Sequence, residues 1–125
     1  MRTIIVFVPA CSAWPKNFFT SLSNVREENG RWIVETDGGW AALYSDDQIW
    51  HDYDDDEKRE VLEKLPNAEP YVLESNDSSL LGQVIMSAPS RSDGLIDNDH
   101  GFIAPIWEIQ RRILLGEAWL EISPK

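Results

Sequence analysis

Two short stretches of this sequence carry side chains that could do chemistry. The first, Asp97-Asn98-Asp99-His100-Gly101, offers two carboxylates and an imidazole directly after a short apolar run. Such groups bind divalent metals, and a strand end is a common place for active groups in α/β proteins. Asn, Asp and Gly are also the residues that a tight turn requires, and no further ligand follows at a recognisable spacing. A turn is therefore favoured, with a divalent-metal site at Asp97, Asp99 and His100, and hence a small metal-dependent enzyme, as the alternative.

The second stretch is an acidic run from residue 46 to residue 57. Seven carboxylates precede the first basic residue, Lys58: Asp46, Asp47, Asp52, Asp54, Asp55, Asp56 and Glu57. Asp54 with Glu57 three positions later forms a capping-box pattern, and carboxylates in a first helical turn favour the positive end of the helix dipole. Helix capping therefore accounts for the last four carboxylates. The spacing does not match a Ca²⁺-binding loop, which needs a central Gly and a distal Glu.

The other half of the acidic run points to binding. Capping leaves Asp46, Asp47 and Asp52 unexplained, and two aromatic residues lie among them. Aromatic side chains anchor protein interfaces, while charge steers the approach of a partner. A solvated loop is the plain alternative. The predicted partner-binding residues are Asp46, Asp47, Trp50, Asp52, Tyr53 and Asp55.

Other catalytic signatures are missing from the sequence. It contains no glycine-rich phosphate loop, nucleophile elbow or cluster of zinc ligands. The single cysteine, Cys11, has no motif linking it to His51 or His100, so an inert thiol is favoured over a nucleophile. We therefore predict no catalytic residues and no cofactor.

Charge sets the class of partner. The 125 residues include 22 acidic and 11 basic ones, for a formal net charge of −11. Such a chain repels phosphate backbones and anionic lipid surfaces and attracts cationic patches. We therefore expect a basic protein partner, with no direct nucleic-acid or membrane binding. The oligomeric state stays open.

Compartment follows from the cysteine count and the apolar runs. A lone thiol cannot form an internal disulfide, which fits a reducing environment. The apolar run Ile4–Val8 is shorter than a signal peptide requires and favours a first, buried strand. No other run approaches the length of a membrane span. The expected location is the cytoplasm.

Strand and helix patterns alternate along the chain. The patterns predict strands over residues 3–8, 31–36, 40–45, 71–75, 94–96 and 119–122, and helices over 14–24, 53–65, 77–88 and 105–115. Asp37-Gly38-Gly39 predicts a hairpin turn in which glycines adopt positive φ. The last helix is expected to bury Ile106, Ile109, Ile113 and Leu114. Together these predict an α/β (α+β) fold, in which residues 1–125 form a single domain with a mixed β-sheet and helices packed against it.

One segment resembles a known family. The strand at Tyr71-Val72-Leu73, the helix Ser79 to Met86, and Leu95-Ile96 followed by the Asp97–Gly101 turn and a Pro-led helix resemble a module of bacterial immunity proteins. These are small acidic cytoplasmic proteins that neutralise cognate toxins, including those of contact-dependent growth inhibition. The resemblance covers residues 71–115 and implies a function class only: binding and blocking a toxin domain, often a nuclease with a basic cleft. An acidic adaptor or regulator of another basic protein is the remaining alternative.

Overall fold

The computed structural model of the chain describes residues 1–10, 12, 14–89 and 93–121. Its strands are β1 (Arg2–Pro9), β2 (Arg26–Glu28), β3 (Arg31–Thr36), β4 (Gly39–Ser45), β5 (Ala68–Ser75), β6 (Leu95–Asp97) and β7 (Ile103–Pro105). Its helices are α1 (Lys16–Thr20), α2 (Asp55–Lys64), α3 (Ser78–Met86) and α4 (Ile106–Leu115), with a 3-10 helix at Asp47–Asp52.

The seven strands form one sheet in the order β2-β3-β4-β5-β1-β6-β7. The predicted α+β class is confirmed. The sequence analysis expected a mixed sheet, whereas every pairing between these strands is antiparallel. Short connections such as those after β2, β3 and β6 can join only antiparallel neighbours. The longest pairing runs from Arg2 opposite Ser75 to Pro9 opposite Ala68.

One face of the sheet carries the main hydrophobic core. Strand β1 points Ile4, Val6 and Val8 toward this face, where α1, α3 and α4 pack. The helices bury Phe19 from α1, the stripe Leu80, Leu81, Val84 and Ile85 from α3, and Ile106 and Ile109 from α4. The helix-period spacing of these side chains predicted the buried face of α3 correctly, and that of α4 at Ile106 and Ile109.

The opposite face carries a smaller core. Alternate residues of β1, Ile5 and Phe7, lie there with Val72 and Leu95, beneath Ile49 of the 3-10 helix and Val61 of α2. Strand β1 is thus buried on both faces, as its continuous apolar run predicted. This second core takes in β1, β5, β6 and β7 but reaches only Tyr44 of β4. The second face of β2, β3 and most of β4 therefore has no packed helix among the described residues.

The β3–β4 hairpin forms where predicted, but its turn works differently. Neither Gly38 nor Gly39 has the positive φ that the sequence predicted. At Gly39 the requirement is space, because a Cβ there would overlap the side-chain oxygen of Asn76. The positive-φ turn lies instead between β2 and β3, at Asn29 (φ 52°) and Gly30 (φ 80°), an Asn-Gly signal of a hairpin that the sequence analysis passed over.

Two further expectations are corrected near the C-terminus. Leu114 is 74% exposed rather than buried, because it lies off the helical stripe formed by Ile106, Ile109 and Ile113. Residues 119–121 form no strand, although Trp119 is buried in the main core. Ile122, the last residue of that predicted strand, lies outside the described residues. Within the described chain the longest α-helices have ten residues, and none is long and apolar enough to cross a membrane.

Candidate protein-binding surface

The acidic stretch folds as two consecutive helices, which we call the acidic ridge (residues 46–57). Asp46 caps the 3-10 helix, with its Oδ1 accepting from the backbone N–H of Gln48 at 2.9 Å. Asp54 caps α2 in the predicted capping box: the Glu57 N–H donates to Asp54 Oδ1 at 2.8 Å, and the Asp54 N–H donates to Glu57 Oε1 at 3.1 Å. Capping therefore also explains Asp46, contrary to the sequence analysis.

Three carboxylates of the ridge make no capping hydrogen bond within the described residues, although Asp47 and Asp55 lie in the first turns of the 3-10 helix and α2. Asp47, Asp52 and Asp55 are exposed, and none of them takes part in an ion pair within the described residues. By contrast, Asp56 lies 3.3 Å from the guanidinium of Arg59. The ridge therefore presents unneutralised negative charge to solvent.

The aromatic residues of the ridge face the sheet. The Trp50 and Tyr53 rings lie 5.4 and 5.8 Å from the ring of Phe7, centroid to centroid. They also contact each other edge-on at 6.0 Å, and Lys58 lies over Trp50 at 5.9 Å. The polar neighbours of Trp50 in the sequence suggest exposure, but the structure shows that this side chain is half-buried and closes the second core. Both rings fix the position of the ridge.

Tyr53 joins the two stretches that the sequence singled out. Its phenol donates a hydrogen bond to the carboxylate of Asp97, 44 positions away in the sequence, and Asp97 is only 5% exposed. Burial, and then this hydrogen bond, raise the pKa of Tyr53 well above its usual value. The phenol therefore keeps its proton and serves as a permanent donor.

The Asp97–Gly101 segment is the turn between β6 and β7. Asp97 Oδ1 accepts from the N–H of Asp99 at 2.8 Å, and Asn98 Oδ1 accepts from the N–H of His100 at 2.9 Å. Asn98 Nδ2 also donates to the carbonyl of Trp119 at 2.9 Å. Asp99 and Gly101 have positive φ, as tight turns require. These hydrogen bonds and backbone angles support the interpretation of the segment as a turn.

This geometry does not support the alternative of a divalent-metal site at Asp97, Asp99 and His100. Both carboxylate oxygens of Asp97 accept protein hydrogen bonds. The described part of the chain holds no group of three or more His, Cys, Asp and Glu side chains that could share an ion. Burial, followed by the nearby Asp97 carboxylate, raises the pKa of Asp99, and His100 is exposed. Cys11 lies outside the described residues.

Sequence reasoning missed a second surface, the uncovered face of β2–β4. Across the sheet, Arg26 pairs with Ile33, Ile33 with Ala42, and Ala42 with Glu74. Trp40 lies two residues before Ala42 on the same face of β4. Because Ala42 is small, these side chains surround a depression of about 260 Å³ with Ala42 at its floor. The signal was the alternation of β4, whose Trp40, Ala42 and Tyr44 leave neither face polar.

Ion pairs border this depression, which we call the sheet-face depression. Arg26 lies 2.7 Å from Glu35 and 3.4 Å from Glu28. Arg31 stacks over the Tyr44 ring at 4.3 Å, and its guanidinium lies 3.9 Å from Glu74. The Tyr44 phenol donates to Glu74 at 2.8 Å; burial and then this hydrogen bond raise its pKa to about 12.

Comparisons with protein-family models, with curated proteins and with solved structures found no match to this chain.

Proposed function

We propose that this protein is an inhibitor of the immunity-protein kind, which binds a basic toxin domain through the acidic ridge and blocks it. The observation that carries the proposal is the set of three exposed, unpaired carboxylates, Asp47, Asp52 and Asp55, on a segment held to the sheet. The partner class follows the sequence resemblance, and a nuclease-like toxin fits it best, because such an enzyme must be basic to hold phosphates.

Charge supports the proposal through the kinetics of encounter. A net charge of −11 attracts a basic partner over roughly a Debye length, about 8–10 Å at moderate salt, and speeds association. The unpaired carboxylates would then meet Lys or Arg side chains in a phosphate-binding groove. Binding driven in this way weakens as salt is added.

Rigidity supports it as well. Trp50 and Tyr53 pack on Phe7, and Tyr53 is tied to Asp97, so the ridge has little to lose in conformational entropy when a partner binds. Within the proposed contact set, Asp47, Asp52 and Asp55 meet the partner directly. Asp46 caps the 3-10 helix, while Trp50 and Tyr53 hold the ridge and offer their exposed edges.

The first test is co-purification of the tagged protein from its native host at low salt, with mass spectrometry. We expect a stoichiometric basic protein that dissociates at high salt. A toxin domain would support the immunity function, whereas a basic protein of another kind would favour an adaptor. A tagged protein that recovers no basic partner under growth conditions where the neighbouring genes are expressed would count against both.

The second test places the contact on the ridge. The variant Asp47→Lys/Asp52→Lys/Asp55→Lys should lose the partner, because interface anchors commonly contribute 2 kcal/mol or more each. Its control, Glu27→Lys/Asp37→Lys/Glu117→Lys, changes three other exposed acids. Each replacement shifts the charge by two, so both variants carry −5 instead of −11. Equal loss in both would mean that net charge, not the ridge, holds the partner.

A further inference from the structure

The sheet-face depression has the composition of a binding surface. A sheet face that only meets water is expected to alternate to polar side chains. Here Ile33, Trp40 and Ala42 make an apolar centre, and ion pairs surround it. An apolar centre within a polar rim is the anatomy of protein interfaces.

The charge around the depression favours a cation. Three carboxylates, those of Glu28, Glu35 and Glu74, face the two guanidiniums of Arg26 and Arg31. Both guanidiniums are already paired, so the surplus charge on this face is negative. The face itself already shows how a guanidinium is held: Arg31 stacks on Tyr44 beside Glu74. Trp40 offers an equivalent ring that no described cation covers.

The depression also adjoins the acidic ridge. Strand β4 ends at Ser45, and Asp46 begins the ridge at once. The Asp46 carboxylate is near enough to Tyr44 to contribute to its raised pKa. A partner seated on the ridge therefore meets the uncovered sheet face next.

We infer that the sheet-face depression is a second contact point for the same basic partner and receives one arginine side chain. Its aliphatic stem lies on Ile33 and Ala42, and its guanidinium stacks on Trp40 within reach of Glu35. Arginine fits better than lysine, because a planar, weakly hydrated guanidinium can lie flat on an indole, whereas a compact ammonium is more strongly hydrated and meets the ring only as a point charge. The inference rests on the proposed function for the basic nature of the partner.

The experiment uses a capped hexaarginine peptide as the probe and the indole N–H signals of the tryptophans in two-dimensional NMR as reporters. Trp40 reports on the depression and Trp50 on the ridge, while Trp107, 53% exposed on α4, is the control. We expect hexaarginine to shift the Trp40 and Trp50 signals and to leave Trp107 in place. Hexalysine should move Trp40 less, and hexaglutamate should move neither.

Two variants test the depression directly. Trp40→Ala should weaken hexaarginine binding about two- to fivefold, the range of an exposed cation–π contact, whereas Trp107→Ala should leave it unchanged. Ala42→Leu fills the depression from its floor and should abolish the Trp40 shift while the Trp50 shift persists. That second variant guards against loss of folding in the first.

The outcomes separate the two proposals. A Trp50 shift without a Trp40 shift overturns the second contact point and leaves the ridge standing. A Trp40 shift alone supports the depression and removes the ridge. Equal Trp40 shifts with hexaglutamate, or with hexalysine, would show that the depression does not select an arginine and would overturn the inference.

Discussion

The two faces of the sheet differ in how completely helices cover them. On the first face, α1, α3 and α4 cover the strands from β3 to β7 in sheet order and enclose the larger core. On the second, the 3-10 helix and α2 cover only the strands from β5 to β7, and the smaller core has aromatic side chains at its margin. Strand β1 serves both, since alternate residues point to opposite faces.

The main hydrophobic core and the proposed binding surfaces therefore lie on opposite faces of the sheet. The first face is covered by helices that pack their apolar stripes against it. The second face combines the exposed carboxylates of the ridge, the Tyr53–Asp97 hydrogen bond and the sheet-face depression. Both proposed contact surfaces therefore lie on the face that the helices cover less completely.

Removing the central ring of the second core should have the largest effect. Phe7 is fully buried and contacts both Trp50 and Tyr53, so Phe7→Ala should cost about 3–5 kcal/mol of unfolding free energy in urea titration. Leu81→Ala, in the first core, is the comparison. It should cost about 2–5 kcal/mol without shifting the Trp50 indole N–H signal of the folded protein in two-dimensional NMR. If Phe7→Ala also leaves that signal unchanged, Phe7 does not hold the ridge.

Cutting the tie between the ridge and the β6–β7 turn comes next. Tyr53→Phe keeps the ring but leaves one oxygen of the buried Asp97 without its donor, which should cost about 1.5–3 kcal/mol. Tyr71→Phe is the control, because its phenol has no hydrogen bond of this kind. Equal costs in both variants would mean that the Tyr53 phenol contributes no more than its burial.

The burial of three tyrosines makes the unfolding free energy depend on pH in the alkaline range. Burial raises the pKa of Tyr44, Tyr53 and Tyr71 above the ordinary value of 10.0. Between that value and the folded pKa, the folded chain holds protons that the unfolded chain releases. The unfolding free energy should therefore be flat with respect to these groups below pH 10 and fall above it. The fall should be shallower in Tyr53→Phe, and phenolate absorbance should appear late in the folded protein. A tyrosine titration that is half complete at pH 10 would contradict this.

The smallest expected effect comes from a comparison of two neighbouring residues of β4 that point to opposite faces of the sheet. Ala41 points into the first core and Ala42 toward the depression. Ala41→Leu should overpack the first core and cost about 1–3 kcal/mol, whereas Ala42→Leu should cost less, because its added atoms enter the depression although Ala42 itself is buried. Thermal and urea unfolding of both variants would decide. Equal destabilisation would mean that the second face of β4 is as tightly packed as the first.

Sequence reasoning succeeded where the signal was local. The capping box at Asp54 and Glu57, the helical stripe of α3 and the double burial of β1 follow from patterns within a few residues. It missed β2 and β7, which have three residues each, and found β6, of the same length, only because Leu95 and Ile96 directly precede the Asp97–Gly101 turn. It also failed to predict that Trp50 is half-buried, because the polar neighbours of Trp50 in the sequence do not show that its ring packs against Phe7.

The sequence alone determined the charge of this protein, its α+β class and the ends of its main helices, since composition, periodicity and capping act over short distances. Only the tertiary structure decided which face each strand offers to which layer. That choice brought Tyr53 to Asp97, buried one edge of Trp50 and left Ala42 at the floor of an open depression. The physical reason is that such contacts join residues far apart in the chain, and their partners are fixed by the packing of the whole sheet rather than by any local pattern.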